Sequence, residues 1–266
     1  MNLLYCGDKN VERGMYLSLM SILKHTDEKL NVYILTASVN SHKAIGEDFQ
    51  RILERKITQK NTNSQVTLLD ISYLFCSYLP KANMGTRFTP LCMLRLFADK
   101  VKEIPDKILY LDADVMCTNN FYDLYNTDMG DTEIIGVPDR YGKWFFGNIL
   151  KHDYLNSGVL LLNMKQIRNS GLFEKCRKMC KEKKMFMPDQ SALNKLATKQ
   201  KASRSYNEQG PIKDETVFKH FTTFFQFIPY FKAVTIKPWD EEELHTKLRI
   251  YEFDDILDDY KKELLQ

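Results

Sequence analysis

Long hydrophobic runs are missing from this sequence of 266 residues, and none approaches the roughly 20 apolar residues of a membrane-spanning helix. The N-terminal segment MNLLYCGD also lacks the basic region and apolar stretch of a secretory signal peptide. None of the six cysteines forms a CxxC pair, and Cys176 and Cys180 have no accompanying histidines for zinc. We therefore expect reduced thiols, a cytoplasmic location and no structural zinc site.

A large excess of charge of one sign is missing too. The chain has 38 Lys and Arg against 35 Asp and Glu, and the net charge of +3 is too small to indicate a nucleic-acid partner. Hydrophobic residues make up 44% of the sequence, which is enough for a substantial core. A basic segment at 175–184 contrasts with an acidic C-terminus after residue 240. Solvated helix faces explain both; alternatively, the basic segment docks on an acceptor or peripherally on the inner face of a membrane.

Strand-like and helix-like segments alternate along the first half of the chain. Predicted strands occupy 2–6, 30–35, 66–69 and 107–111, and predicted helices occupy 12–24, 41–56 (capped by Ser41) and 88–101. This order predicts an α/β fold with a mainly parallel sheet covered by helices. The second half adds strands at 133–137 and 158–163 and helices at 170–184 and 189–199. We expect one domain over 1–240 and a helical tail over 241–266.

The stretch KILYLDADVM, residues 107–116, runs an apolar strand straight into Asp112 and Asp114. Residues two apart in a strand share a face, so both carboxylates would face the same way while the strand persists. They would lie at its carboxyl end, the edge where open α/β sheets bind ligands. Two close carboxylates repel unless a cation separates them, and a divalent metal fits best. The alternative is a helix cap at Asp112 and an arginine partner for Asp114.

Several motifs follow one another in the order of a known family. They are LYLDADV, YLNSGVLLLNM at 154–164, PDQSALN at 188–194, and VFKHF with a later KPW. With this set the chain resembles the family 8 retaining glycosyltransferases, which include lipopolysaccharide galactosyltransferases and glucosyltransferases and glycogenin-like enzymes. The resemblance implies the GT-A fold, a Rossmann-like, mainly parallel mixed sheet flanked by helices. It also implies transfer of a hexose, glucose or galactose, from a UDP-sugar to a bacterial glycan, glycolipid or glycoprotein acceptor.

The resemblance also implies roles for individual residues. Asp112, Asp114 and His220 would bind Mn²⁺ or Mg²⁺, which bridges the diphosphate of the donor. Asp189 and Gln190 would lie beside the reacting sugar as catalytic candidates, although front-side attack within an ion pair is equally compatible. The expected donor-binding residues are Cys6, Gly7, Asp8, Asn10, Arg95, Asp112, Ala113, Asp114, Asp139, Asn156, Ser157 and Lys237. A simple turn role for Asp8 and a surface position for Arg95 stay open as alternatives.

The closing motif departs from the family pattern. The family has a glycine soon after His-Phe and then Lys-Pro-Trp; here the glycine is missing and an apolar insert, within 221–236, intervenes. An acceptor lid, a membrane-contacting loop and core packing are alternative interpretations of this insert. If it folds back as a hairpin or turn, Lys237 returns to the diphosphate; if it projects as a lid, Lys232 or no lysine takes that role. The segment TPLCMLRL also lacks a tyrosine that many relatives carry.

Two other functions compete with sugar transfer. Haloacid-dehalogenase-type phosphatases also end an apolar strand in DxD, but they want Thr or Val two places after the second Asp, where Met116 stands. Their motif also lies near the N-terminus rather than at residue 112. A non-catalytic sugar-nucleotide-binding protein would not need the metal residues together with Asp189. A self-glucosylating initiator would need one exposed acceptor tyrosine, and the fourteen tyrosines single out none.

Overall fold

The computed structural model describes residues 1–85, 89–142, 153–226, 230 and 232–263. Its strands are β1 Asn2–Gly7, β2 Asn31–Thr36, β3 Gln65–Asp70, β4 Lys107–Leu111, β5 Val115–Cys117, β6 Ile134–Pro138, β7 Leu155–Asn163, β8 Lys199–Lys201, β9 Phe218–His220, β10 Phe224–Gln226 and β11 Lys232–Val234. Seven of them form the central sheet in the order β3-β2-β1-β4-β7-β6-β8. Of these seven, β7 alone runs antiparallel to its neighbours. The expected mainly parallel mixed sheet is therefore confirmed.

Helices flank this sheet. The α-helices are α1 Glu12–Leu23, α2 Glu47–Lys60, α3 Ser72–Ser77, α4 Tyr122–Asn126, α5 Met164–Ser170, α6 Leu172–Glu182, α7 Pro188–Leu196, α8 Glu241–Glu243 and α9 Asp254–Glu263. The 3₁₀ segments are Lys9–Val11, Lys81–Asn83, Pro90–Lys100 and Arg204–Asn207, and a π-helical turn spans Leu244–Leu248.

Two helix predictions were wrong in detail. The helix expected over 41–56 with a Ser41 cap begins only at Glu47, because residues around Val39 and His42 form a β-bridge instead. The segment expected as a helix over 88–101 is a 3₁₀ segment that begins at Pro90, and residue 88 lies outside the described residues. Proline suits a first helical position because its missing N–H would have no helical partner there.

The core has two parts, one on each face of the sheet. Along β1, Leu3 and Tyr5 belong to one buried cluster and Leu4 to the other, as the alternation of a strand requires. Burial on both faces is typical of parallel strands covered by helices. The cluster of Leu3 also includes residues of α1, α2 and α9, whereas that of Leu4 includes residues of the Pro90–Lys100 segment, α6 and α7.

The C-terminal helix α9 packs on α1. The Tyr16 hydroxyl donates to Asp259 Oδ2 over 2.6 Å, and the rings of Tyr16 and Tyr260 lie 5.1 Å apart. Ile256 and Leu257 are buried in the same core cluster as α1. The helical tail is thus part of the packed core, and a domain division at residue 240 stays a prediction. Across the described ranges, no helix has the length and apolar character needed to cross a membrane.

Candidate functional site

Asp112 and Asp114 lie in a turn rather than in a strand. Strand β4 ends at Leu111, and the Val115 N–H closes the turn by donating to Asp112 O over 3.1 Å. The Asp112 N–H donates to Gly158 O over 2.8 Å, which ties the turn to β7. The strand therefore ends at residue 111 as predicted, and it does not persist through the two aspartates. The turn nevertheless brings both carboxylates together at the carboxyl end of β4.

A short second ladder brings His220 to the aspartates. Strands β5 and β9 pair antiparallel, with Val115 opposite His220. His220 Nε2 lies 3.3 Å from Asp114 Oδ1 and 3.8 Å from Asp112 Oδ2. One ligand atom from each of the three side chains lies within 4.8 Å of the other two. Two carboxylates and an imidazole form a mixed oxygen and nitrogen set that fits a divalent ion such as Mn²⁺.

Lys237 joins this cluster from the far side of the insert. Strands β10 and β11 pair antiparallel, so the insert folds as a hairpin and the chain returns to the site. Lys237 Nζ donates to Asp114 Oδ2 and, over 3.3 Å, to Phe221 O. Burial by itself raises the pKa of Asp114, but Lys237 and His220 beside it lower that pKa well below its ordinary value. The structure thus brings Lys237 rather than Lys232 to the aspartates, while its contact with a diphosphate stays a prediction.

Arg95 is buried, with 3% of its surface exposed, so the surface alternative was wrong. Its Nη2 donates to Asp112 Oδ1 over 2.8 Å, and its Nε lies 3.3 Å from Asp189 Oδ2. The guanidinium also stacks over the Tyr110 ring at 4.0 Å from the ring centre. One cation therefore links a proposed metal ligand to a proposed catalytic residue, and this pairing makes its burial tolerable.

Asp189 and Gln190 lie in the first turn of α7, just after Pro188. Burial raises the pKa of Asp189, and the Arg95 guanidinium opposes part of that rise. Gln190 Oε1 accepts from the Ser157 N–H over 3.0 Å, and its Nε2 lies 3.3 Å from Asp139 Oδ2. The two catalytic candidates are therefore held by a helix start and by the neighbouring strand.

Two further polar side chains of the site lie on β7 and just after the end of β6. Asn156 Nδ2 donates to Asp139 Oδ2 over 3.0 Å. Asn207, which the sequence analysis did not select, connects this pair to the metal cluster: its Nδ2 donates to Asn156 Oδ1, and its Oδ1 lies 3.1 Å from His220 Nδ1. No motif in the sequence marks Asn207, because its position depends on the 3₁₀ turn that it ends.

The proposed site residues that line one cleft of about 560 Å³ are Arg95, Asp112, Asp114, Asp139, Asn156, Ser157, Asp189, Gln190, His220 and Lys237. Aromatic side chains also line this cleft. Tyr141 and Phe225 are in edge contact with ring centres 4.8 Å apart, and Phe186 is about half exposed. A cleft lined by both polar and aromatic side chains is typical of sites for small ligands that carry polar groups.

The N-terminal group of site residues does not line this cleft. Asp8 is buried; its Oδ1 accepts from the Asn10 N–H, and its Oδ2 contacts Asn10 Nδ2 at 2.8 Å and His42 Nδ1 at 2.5 Å. Asp8 thus caps the turn Lys9–Val11, as the alternative of a simple turn role predicts. A Cβ at Gly7 would lie 2.3 Å from Val11 Cγ2, so packing also requires that glycine.

Cys6 and Ala113 are the remaining expected donor-binding residues, and neither of them lines the cleft. Burial raises the pKa of the Cys6 thiol, and the Arg95 guanidinium offsets part of that rise. Ala113 packs against α1, since a Cβ built on Gly14 would approach its carbonyl oxygen to 2.6 Å. The donor contacts of both residues stay predictions.

The sequence of this chain is similar to that of known proteins. Residues 2–243 match the family described as Glycosyl transferase family 8. The chain is 26% identical over 249 residues to the lipopolysaccharide glucosyltransferase WaaO of Escherichia coli K12, across 83% of this chain and 70% of that protein. It is 27% identical over 247 residues to a lipopolysaccharide 1,3-galactosyltransferase of Salmonella typhimurium, across 83% and 70% of the two chains.

Solved structures share the fold. An active-site mutant of LgtC aligns with 97% of this chain and 94% of its own, with a TM-score of 0.71 and 17% identity. A complex of the galactosyltransferase LgtC with donor and acceptor sugar analogues aligns over the same shares, with a TM-score of 0.67 and 18% identity. The expected GT-A fold is confirmed, and the phosphatase alternative was wrong. The family match over residues 2–243, on this fold, shows that the chain belongs to glycosyl transferase family 8.

Proposed function

We propose that this protein is a metal-dependent retaining glycosyltransferase that moves glucose or galactose from a UDP-sugar to a bacterial glycan or glycolipid. The observation that carries the proposal is the convergence of Asp112, Asp114 and His220 in the cleft that Asp189 and Gln190 also line. A lipopolysaccharide-type acceptor is supported by the names of the relatives in Escherichia coli and Salmonella typhimurium.

The metal-side residues would stabilise the leaving group. Asp112, Asp114 and His220 would hold Mn²⁺ or Mg²⁺, which would supply Lewis-acid stabilisation of the charge on the departing UDP. Lys237 adds a point charge on a flexible stem, which can move from Asp114 to a phosphate oxygen. Arg95 holds the Asp112 carboxylate in place through a hydrogen bond of 2.8 Å. These residues would lower the barrier by placing positive charge beside the negative charge of the leaving group.

The sugar-side residues would orient the hexose and stabilise its anomeric carbon. Asp139, Asn156 and Gln190 form one hydrogen-bonded group that lines the cleft and is able to bind sugar hydroxyls. Asp189 is a carboxylate in a buried setting, where it would act on the positive charge of an oxocarbenium-like transition state, by analogy with glycosidases. The negative charge of Asp189 would serve either mechanism, a covalent intermediate or front-side attack within an ion pair.

The hairpin β10–β11 would form the acceptor side of the cleft. The Phe225 N–H donates to the Tyr141 hydroxyl over 3.1 Å, which joins the hairpin to the chain after β6. The rings of Phe225 and Tyr141 line the cleft and offer apolar faces to a sugar. We expect Phe225→Ala to weaken acceptor binding and leave donor hydrolysis unchanged. Tyr230→Ala, on the same insert but 80% exposed and outside the cleft lining, is the matched control.

A peripheral location at the inner face of a membrane is proposed for a glycolipid acceptor. The basic segment that would dock there is smaller than the sequence suggested, because Arg177 is buried and pairs with Asp99 at 2.5 Å. Lys175, Lys178 and Lys184 remain exposed on and after α6. Vesicles containing anionic lipid test this docking: binding that falls with salt supports it, and equal binding to neutral vesicles contradicts it.

A donor screen tests the proposed function itself. The protein is incubated with a panel of UDP-sugars in Mn²⁺ or in chelator, and released UDP is measured. We expect slow hydrolysis of one UDP-hexose in Mn²⁺ only. Tight UDP binding with no turnover of any UDP-sugar, with or without acceptor glycans, would favour the non-catalytic alternative.

A further inference from the structure

Asn207 is a fully buried side chain that the proposed reaction does not use. Asn207 is the last residue of the turn Arg204–Asn207, and the main chain of Glu208 joins that turn to β9 by hydrogen bonds. The Glu208 N–H donates to Phe218 O over 2.8 Å, and the His220 N–H donates to Glu208 O over 3.0 Å. The main chain therefore holds the Asn207 amide beside the His220 ring, whose Nδ1 lies 3.1 Å from Asn207 Oδ1.

The orientation of the amide groups follows from one backbone donor. The Gly158 N–H lies 2.9 Å from a terminal atom of Asn156, and since an N–H only donates, that atom is Oδ1. The Asn207 atom 2.9 Å from the same oxygen must then be Nδ2. Asn207 Oδ1 consequently faces His220. Because an amide oxygen only accepts, the hydrogen of the neutral imidazole lies on His220 Nδ1.

This tautomer leaves the lone pair of the neutral ring on Nε2. Nε2 faces Asp114 Oδ1 at 3.3 Å and Asp112 Oδ2 at 3.8 Å. In the neutral ring, Nε2 and the two carboxylate oxygens are all electron donors, and such a set can bind a cation between them. The opposite tautomer would direct an N–H at the aspartates and remove histidine from the ligand set.

Gly158 fixes the place of the same ring. A Cβ at Gly158 would come within 2.1 Å of His220 Cε1 and 2.6 Å of Nδ1, so the ring lies directly against the main chain of β7. The strand therefore determines where the imidazole lies, and Asn207 determines which nitrogen it turns to the aspartates. Outer groups of this kind commonly orient the histidine ligands of metals.

We infer that Asn207 is a positioning residue that presents His220 Nε2 to a divalent cation. The inference rests on the proposed metal-dependent function. Asn207 is also connected to the residues proposed to bind the sugar. Asn207 donates to Asn156, Asn156 donates to Asp139, and Asp139 Oδ2 lies 3.3 Å from Gln190 Nε2. One line of side chains thus joins a metal ligand to the residues proposed to bind the hexose.

The test measures Mn²⁺ binding without nucleotide or turnover, from the electron paramagnetic resonance signal of free Mn²⁺. Asn207→Leu, which cannot accept from Nδ1, should raise the Kd for Mn²⁺ about 10- to 100-fold. Asn207→Asp still offers an acceptor to Nδ1 and should keep most of the affinity. The control is Asn163→Leu at the other end of β7, where the Asn163 side chain caps α5 and donates to Gly130 O. It should bind Mn²⁺ like the wild type.

Each outcome decides the inference. A folded Asn207→Leu protein with wild-type Mn²⁺ affinity overturns it, as does an Asn207→Asp protein that loses as much as Asn207→Leu. If Asn207→Leu does not fold, as judged by circular dichroism, Asn207→Ala takes its place with the same expectation. His220→Ala separates the two proposals: if it binds Mn²⁺ normally, the proposed metal site is wrong, whereas a loss in His220→Ala without one in Asn207→Leu rejects the positioning role alone.

Discussion

Lys237 Nζ donates a hydrogen bond to Asp114 Oδ2, although 123 residues separate the two in sequence. The ammonium thus contacts one carboxylate of the proposed metal set. Lys237 and a metal ion would compete for Asp114 in the free protein but act together once UDP is bound, when the lysine can turn to a phosphate.

We therefore predict opposite effects of Lys237→Met on two ligands. Mn²⁺ alone should bind more tightly, because the competing ammonium is gone. UDP in saturating Mn²⁺ should bind roughly 10- to 100-fold more weakly, since a charge-assisted hydrogen bond contributes about 1.5–3 kcal/mol. Calorimetry measures both, and the UDP loss should shrink in high salt. Lys232→Met, on the exposed strand β11, is the control. Unchanged UDP affinity in Lys237→Met would remove the lysine from the donor site.

The second prediction concerns metal-dependent stabilisation by UDP. At about a hundred times its Kd, a ligand stabilises the native state by about 2.7 kcal/mol. UDP should therefore raise the Tm in Mn²⁺ but hardly in chelator. Asp114→Ala, which removes a proposed ligand, should lose this shift and sugar transfer. Asp112→Ala should also lose transfer, and it should lower the Tm itself because Arg95 is left buried without that partner. A full UDP shift in excess chelator would show that the metal does not anchor the diphosphate.

Asp189→Asn separates binding from turnover. The substitution keeps the size of the side chain but removes the carboxylate charge beside Arg95, which is 3.3 Å away. We predict a loss of kcat of about a hundredfold or more, with UDP-sugar affinity close to that of the wild type. Steady-state kinetics together with equilibrium binding give both quantities. Collapsed donor affinity with surviving turnover at saturation would make Asp189 a donor-binding residue instead.

The docked tail should respond to acid through Asp259. Burial alone raises the pKa of Asp259, but Lys56 and Tyr16 lower it below its ordinary value. A lowered folded-state pKa means that the stabilisation is present above about pH 4 and is lost as pH falls through the folded pKa. Asp259→Asn should lower the free energy of unfolding at pH 7 by up to about 1 kcal/mol, with the difference vanishing in acid.

Thermal denaturation across pH measures this effect. Asp258→Asn, a neighbouring exposed position whose carboxylate contacts Lys261, is the control and should change stability little at any pH. An equal Tm for Asp259→Asn and the wild type at pH 7 would show that the ion pair with Lys56 does not stabilise the docked tail.

The sequence by itself determined six strands of the seven-stranded sheet, their alternation with helices, and the family. Apolar runs such as KILYL and alternating patterns are local properties, and four ordered motifs are hard to match by chance. The same local information indicated that Asp112 and Asp114 face one cation. It erred at Ser41, where hydrogen-bonding side chains suit a turn as well as a helix cap.

Only the tertiary structure decided which distant side chains meet. The β5–β9 ladder brought His220 to the aspartates, and the β10–β11 hairpin brought Lys237 back despite the irregular insert. Arg95 is internal because two carboxylates far apart in sequence, the partly exposed Asp112 and the buried Asp189, stabilise its charge. Asn207 carries no sequence signal at all, since its role depends on a hydrogen bond to His220 Nδ1. A local sequence pattern does not show which distant segments will meet in the fold. Ordering those segments costs conformational entropy, and the packed core supplies the free energy that offsets this cost.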